Sequence, residues 1–129
     1  MFDKVDFDDS TAVEFFEEKN NIILKLEDVT DRNQMLFNGT VTFIKIKSFI
    51  ITPGTINAKV PESIRVVYND GSIIDFEQEK EDMYFLMIDW HGRGAKEHES
   101  DIYEIFCDSI QWEYEETGLH ISSLSNKSN

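Results

Sequence analysis

Apolar residues recur at every second position through most of this chain, the signature of strands that bury one face. Segments 11–17 (TAVEFFE) and 21–28 (NIILKLED) flank EKNN, whose asparagines suit a tight turn, and together they predict an opening hairpin. The stretch 26–39 is polar and irregular and predicts a loop. The run 40–50, TVTFIKIKSFI, is β-branched and aromatic. Strict alternation sets Val41 and Phe43 on one face, followed by Lys45 and Lys47, with Thr42, Ile44 and Ile46 on the other.

TPGT at 52–55 reads as a turn by Pro-Gly chemistry. The stretch 57–71 admits two readings. Val60, Ile64, Val67 and Tyr68 fit helical spacing behind Pro61, whereas Ile64, Val66 and Tyr68 fit a strand. The strand is preferred, with NDG turning the chain into 72–79. MYFLMIDW (83–90) is the most hydrophobic strand and is expected at the centre of a sheet, and 91–100 is a polar loop. Segments 101–108 and 109–116 complete the domain, and 117–129 is a polar tail.

Neither a long amphipathic helix nor an internal repeat interrupts this pattern. Seven to eight short strands, with turns at roughly 8–12-residue spacing, predict a mainly β fold with little helix. An antiparallel β-sandwich and a β-barrel both satisfy it. The chain has 129 residues, enough for a single domain spanning 1–116 plus its tail. Ten Phe offer large flat groups for alternate inward positions.

Charge changes the picture. There are 26 acidic against 12 basic residues, a net charge of −14. Such a surface repels nucleic-acid backbones and anionic membranes, favours basic protein partners and argues for a monomer when free. Cys107 is the one cysteine, so an internal disulfide is impossible and a reducing compartment is the simpler reading. MFDKVDFDDSTAVEFF lacks the basic-then-apolar pattern of a secretory signal, and the expected location is the cytoplasm.

The stretch 72–82, SIIDFEQEKED, places Asp75, Glu77 and Glu79 at alternate positions, with Ile74 and Phe76 between them. Gln111, Glu113 and Glu115 form a second such row, opposed by Ile110, Trp112 and Tyr114. Carboxylates two apart on a strand stand about 7 Å from each other. Their repulsion in water is then only about 0.6 kcal/mol per pair. A solvated face tolerates that cost, so a row alone does not demand a function. Against a Lys- or Arg-rich cleft the same row gains several charge-assisted contacts together. Asp3, Asp6, Asp8 and Asp9 add further acidity ahead of the first hairpin.

Motifs for catalysis are missing: no Gly-rich phosphate loop, nucleophile elbow or paired-histidine zinc motif occurs. No metal or cofactor is expected, because His91, His98, His120 and Cys107 have no recognised ligand spacing. Asp89, beside Trp90 and His91, is the best carboxylate for an enzyme of unrecognised type, and a strand-end cap is its bland alternative. Cys107 beside Asp108 reads as a small core residue of low reactivity. A barrel holding a small molecule in its mouth is a further alternative.

The order DDS, NNIILKLEDV, GTVTFIKI, NDGSIIDFE, MYFLMIDWHG and DIYEIFCDSIQWE, over residues 5–115, resembles small acidic bacterial immunity proteins. These are antidotes encoded beside polymorphic toxins and contact-dependent growth inhibition systems. The resemblance implies no catalysis. It implies a tight one-to-one complex with a basic toxin domain, a nuclease and by preference a ribonuclease, whose active site the acidic surface occludes. The residues expected to meet the toxin are Asp75, Glu77 and Glu79, then Glu113 and Glu115, with Trp90 and His91 as a rim.

Overall fold

The computed structural model describes residues 5–31, 33–54, 70–91, 100–114 and 119–120, and every element in them is a strand. The strands are β1 (Val5–Asp6), β2 (Thr11–Glu18), β3 (Asn21–Asp31), β4 (Met35–Thr52), β5 (Gly71–Lys80), β6 (Met83–Trp90), β7 (Ser100–Tyr114) and β8 (Leu119–His120). All pairings are antiparallel. The order is β1-β3-β2-β5-β6-β7-β4-β8, and an added β3–β4 pairing joins the sheet to itself as a barrel. Of the two architectures the alternation allowed, the register therefore selects closure.

β4 and β7 form a long ribbon, paired from Gly39 with Tyr114 to Thr52 with Ile102. The first half of β4 lies against β3, while the first half of β7 lies against β6. The ribbon thus passes from one layer of the barrel to the other. Ring closure on the far side is short: Thr11 pairs with Ser72 and Ala12 with Gly71. Two backbone bonds extend this seam, Asp9 N–H to Ile73 O at 2.9 Å and Ile73 N–H to Ser10 O at 2.9 Å.

Side chains from both layers fill the interior. Phe43 on β4 meets Phe76 on β5 and Tyr84 on β6, with ring centroids 5.8 and 6.0 Å apart. Phe15 on β2 meets Tyr103 on β7 edge-on at 4.9 Å. Ile22, Leu24, Ile73, Leu86, Ile88 and Ile105 complete this core, none with appreciable exposure. Cys107 is buried among them, as its reading predicted. Burial pushes its thiol up to about 11, with Asp108 and Asp82 adding to the rise.

Bulges account for the main departures from the alternation. The predicted loop at 26–39 is strand for most of its length, since β3 continues to Asp31 and β4 begins at Met35. A register shift between Leu26 and Val29 absorbs the irregular residues, with Asp28 in the left-handed region at φ 60°. Its N–H donates to Asn38 Oδ1 at 3.3 Å. The reversal is confined to the few residues after Asp31, whose Oδ1 accepts from the N–H groups of Asn33 and Met35. Lys45, at φ 57°, is a second left-handed residue, just ahead of the register shift between Ile46 and Ser48. It turns Ile46 onto the core beside Val41 and Phe43, where strict alternation had placed it on the opposite face.

Segments 101–108 and 109–116 are one strand as far as Tyr114, and β8 lies within the stretch read as tail. The turn between β2 and β3 is as predicted: Glu18 pairs with Asn21 across Lys19 and Asn20. The helix-or-strand question at 60–68 falls outside the described residues.

A candidate acidic binding surface

The seam gathers acidic residues from two segments that lie far apart in sequence. Asp9 adopts φ 67°, and Ser10, fully buried, returns both its N–H and its hydroxyl to Phe7 O. This tight turn lets Phe7 enter the core while Asp8 and Asp9 stay outside. Asp6 Oδ1 accepts the Asp8 N–H at 3.0 Å and fixes the turn from its other end. Because Asp9 and Ser10 bond to Ile73, these aspartates stand beside the start of the β5 acidic row.

β5 itself carries a bulge at Ile74, between the Ile73–Ile88 and Asp75–Met87 pairs. Ile73 and Phe76 consequently point inward, and Ile74 is thrown out to 46% exposure. The expectation that Ile74 shares the apolar face with Phe76 is corrected by this extra residue. Asp75 and Glu77 still share the outer face, opposite Met87 and Phe85 of β6, and Glu79 sits at a further register shift. All three carboxylates remain close.

Their proximity shows in proton affinity. The Asp75 charge is the first cause that holds the Glu77 carboxyl above its ordinary value, followed by desolvation and the Glu79 charge, and hydrogen bonds with Asp75 and Glu79 add to the rise. Asp8 is raised first by partial desolvation, then by Asp6, Asp75 and Asp9. Six carboxylates, Asp6, Asp8, Asp9, Asp75, Glu77 and Glu79, thus form one field across the seam. The ion pairs among the described residues lie elsewhere. Lys25 meets Glu14 at 3.3 Å, and Lys47 meets Asp82 and Asp108 at 3.5 and 3.7 Å. Among the described residues no group of three His, Cys, Asp or Glu is arranged to hold a metal ion.

The other residues expected at the site do not join this field. Glu113 is exposed on the second half of β7, where it accepts from Gln111 Nε2 at 2.6 Å. Its cross-strand row runs through Thr40 and Lys25 to Glu14, on the outer face of the other layer. Beside it an open depression of about 330 Å³ is lined by Lys25, Glu27, Asn38, Thr40 and Tyr114. Glu115 falls outside the described residues. Trp90 is not a rim group: it is 3% exposed, and its Nε1–H donates to the Tyr103 hydroxyl at 2.8 Å. The alternation of β6 places it inward with Leu86 and Ile88.

His91 is exposed, with Nε2 3.1 Å from Ser72 Oγ and its N–H bonded to Asp70 O at 2.7 Å. Asp89 stands across from Ser72 in the register. This is a hydroxyl–imidazole hydrogen bond on an open strand face next to the seam. Asp6, Asp8 and Asp9 were noted in the sequence but not assigned to a site. Only the turn at Ser10 and its pairing with β5 bring them there, and no local pattern encodes a contact across more than sixty residues. No family model, no curated protein and no solved structure matches this chain.

Proposed function

We propose that this chain is an immunity-type protein that binds a basic toxin domain, one to one, through the acidic field at the β2–β5 seam. One observation carries the reading. Six carboxylates from two remote segments converge without an ion pair to lysine or arginine among the described residues, at a cost in self-repulsion. A fold that needed charge only for solubility would gain more from dispersing it. Groups held in mutual repulsion gain when a cation arrives, because each added Lys or Arg then meets several partial charges at once.

A nuclease is the preferred toxin, and a ribonuclease within that class, because a site built for phosphates presents the matching positive surface. The filled aromatic interior gives no support to the small-molecule alternative, and the described depression lies on the outside of the barrel.

Co-expression with the product of the neighbouring upstream open reading frame, one of the two tagged, tests the proposal. A stable one-to-one complex with a basic domain, together with rescue of growth, is the expected result. Separate elution and unrelieved toxicity would overturn it.

A further inference from the structure

From Tyr84 to Ile88, β6 is apolar on both faces. Tyr84, Leu86 and Ile88 point inward and are fully buried. Phe85 and Met87 alternate with them, are only partly covered, and do not belong to the core or to the residues packed on it. On β7 the same holds for Ile102 and Phe106, which alternate with the buried Tyr103, Ile105 and Cys107.

The register places these side chains side by side. One outer row runs Ile50, Glu104, Phe85, Glu77 across β4, β7, β6 and β5. The next runs Thr52, Ile102, Met87, Asp75. Rows two residues apart lie about 7 Å from each other and neighbouring strands about 4.8 Å, so the apolar groups are contiguous. Ile50 is 52% exposed at one border. The opposite border is the acidic row itself. On the outer face of the other layer, the row Glu14, Lys25, Thr40, Glu113 is polar and includes an ion pair, and the next row sets the partly covered Phe16 and Ile23 beside the polar Thr42 and Gln111.

An antiparallel sheet ordinarily covers one face and wets the other. A strand apolar on both faces signals that both are to be covered, and the contiguous, partly exposed apolar patch marks where. A second copy of this chain is a poor cover. A two-fold contact would bring the acidic borders of two molecules of charge −14 into one small interface. A cationic amphipathic surface satisfies both parts at once, with apolar side chains over Phe85 and Met87 and Lys or Arg on Asp75, Glu77 and Glu104.

We propose that the outer face of β4–β7–β6–β5 is the docking face for the basic partner, centred on Phe85 and Met87 and rimmed by Asp75, Glu77 and Glu104. The inference rests on the proposed function above and sharpens it: charge steers the partner, and the apolar belt holds it.

Isotope-labelled full chain, titrated with two peptides of equal charge, tests this by NMR. One alternates Lys and Leu, and the other is oligolysine with Ser spacers. The Lys-Leu peptide is expected to bind on the order of tenfold tighter, since each buried Leu contributes about that much. The shifts should centre on Phe85, Met87 and Ile102. Met87→Lys and Ile50→Lys are expected to abolish the difference between peptides while the folded spectrum is kept. Equal affinities, or shifts confined to Asp6, Asp8, Asp9 and Glu79, would overturn the docking face and leave a cationic partner in place. A dimer in sedimentation, dissolved by Met87→Lys, would overturn it in favour of a second copy. Binding of neither peptide would count against both this face and the proposed function.

Discussion

Asp8, ahead of β2, and Asp75, on β5, face each other across the barrel seam, and the charge of the second raises the proton affinity of the first. The contact is repulsive, yet the hydrogen bonds on either side of Ile73 hold it in place. The same pairing that closes the fold therefore concentrates the charge that would receive a partner.

Asp75→Asn is expected to stabilise the free protein. It removes a charge that acts on both Asp8 and Glu77. The gain is small and largest at low salt, because both neighbours are open to screening. Urea unfolding at two ionic strengths checks both the sign and the screening.

Asp8 and Glu77 hold protons more tightly in the folded chain than their ordinary values of 3.8 and 4.5 imply. Their contribution favours the folded state below those values and is lost as pH rises through the raised folded values. The wild-type chain should therefore lose part of its stability as pH rises from the ordinary carboxylate values of 3.8 and 4.5 through the raised folded ones, and Asp75→Asn should flatten that slope. Thermal melts across the range would show it.

Gly71→Ala is expected to loosen the seam. Gly71 is buried, and an added Cβ would lie 2.5 Å from Ile88 Cγ2 and 2.6 Å from Trp90 Cε3. Overpacking of this kind costs about 1–3 kcal/mol. A lower urea midpoint, with the slope retained, is the predicted outcome.

Trp90 belongs to stability rather than to recognition. Trp90→Ala should cost about 3–5 kcal/mol, and Tyr103→Phe, which removes the hydroxyl that accepts from the indole, about 1 kcal/mol. If the folded Tyr103→Phe variant keeps its partner affinity in calorimetry, the buried position of the indole is sufficient to explain both. Cys107, with its thiol at about 11, should resist a thiol reagent at pH 8 until the chain is unfolded.

Much of this fold was legible as period-two alternation. The hairpin about Lys19 and Asn20 and the span of β6 follow from it directly. What alternation misses are bulges. A non-glycine residue at positive φ, as at Asp28 and Lys45, carries no distinctive composition, yet each changes the facing of the residues that follow it, up to the next shift. Ile74 was misplaced for the same reason, through the extra residue before Asp75. Trp90 was misplaced for a different one: both faces of β6 are apolar, so hydrophobicity alone cannot say which is inside. In the acidic site, Asp75, Glu77 and Glu79 were visible as a row, whereas Asp6, Asp8 and Asp9 joined it only through tertiary pairing at the seam.

The most direct test of the central claim is the association rate of the co-purified toxin domain with wild type and with Asp75→Lys/Glu77→Lys, followed by stopped flow across ionic strength. The account predicts that the double reversal slows association at low salt by on the order of tenfold or more, and that the two proteins converge as salt rises. Equal rates and equal affinity at low salt, in a variant that remains folded, would contradict it.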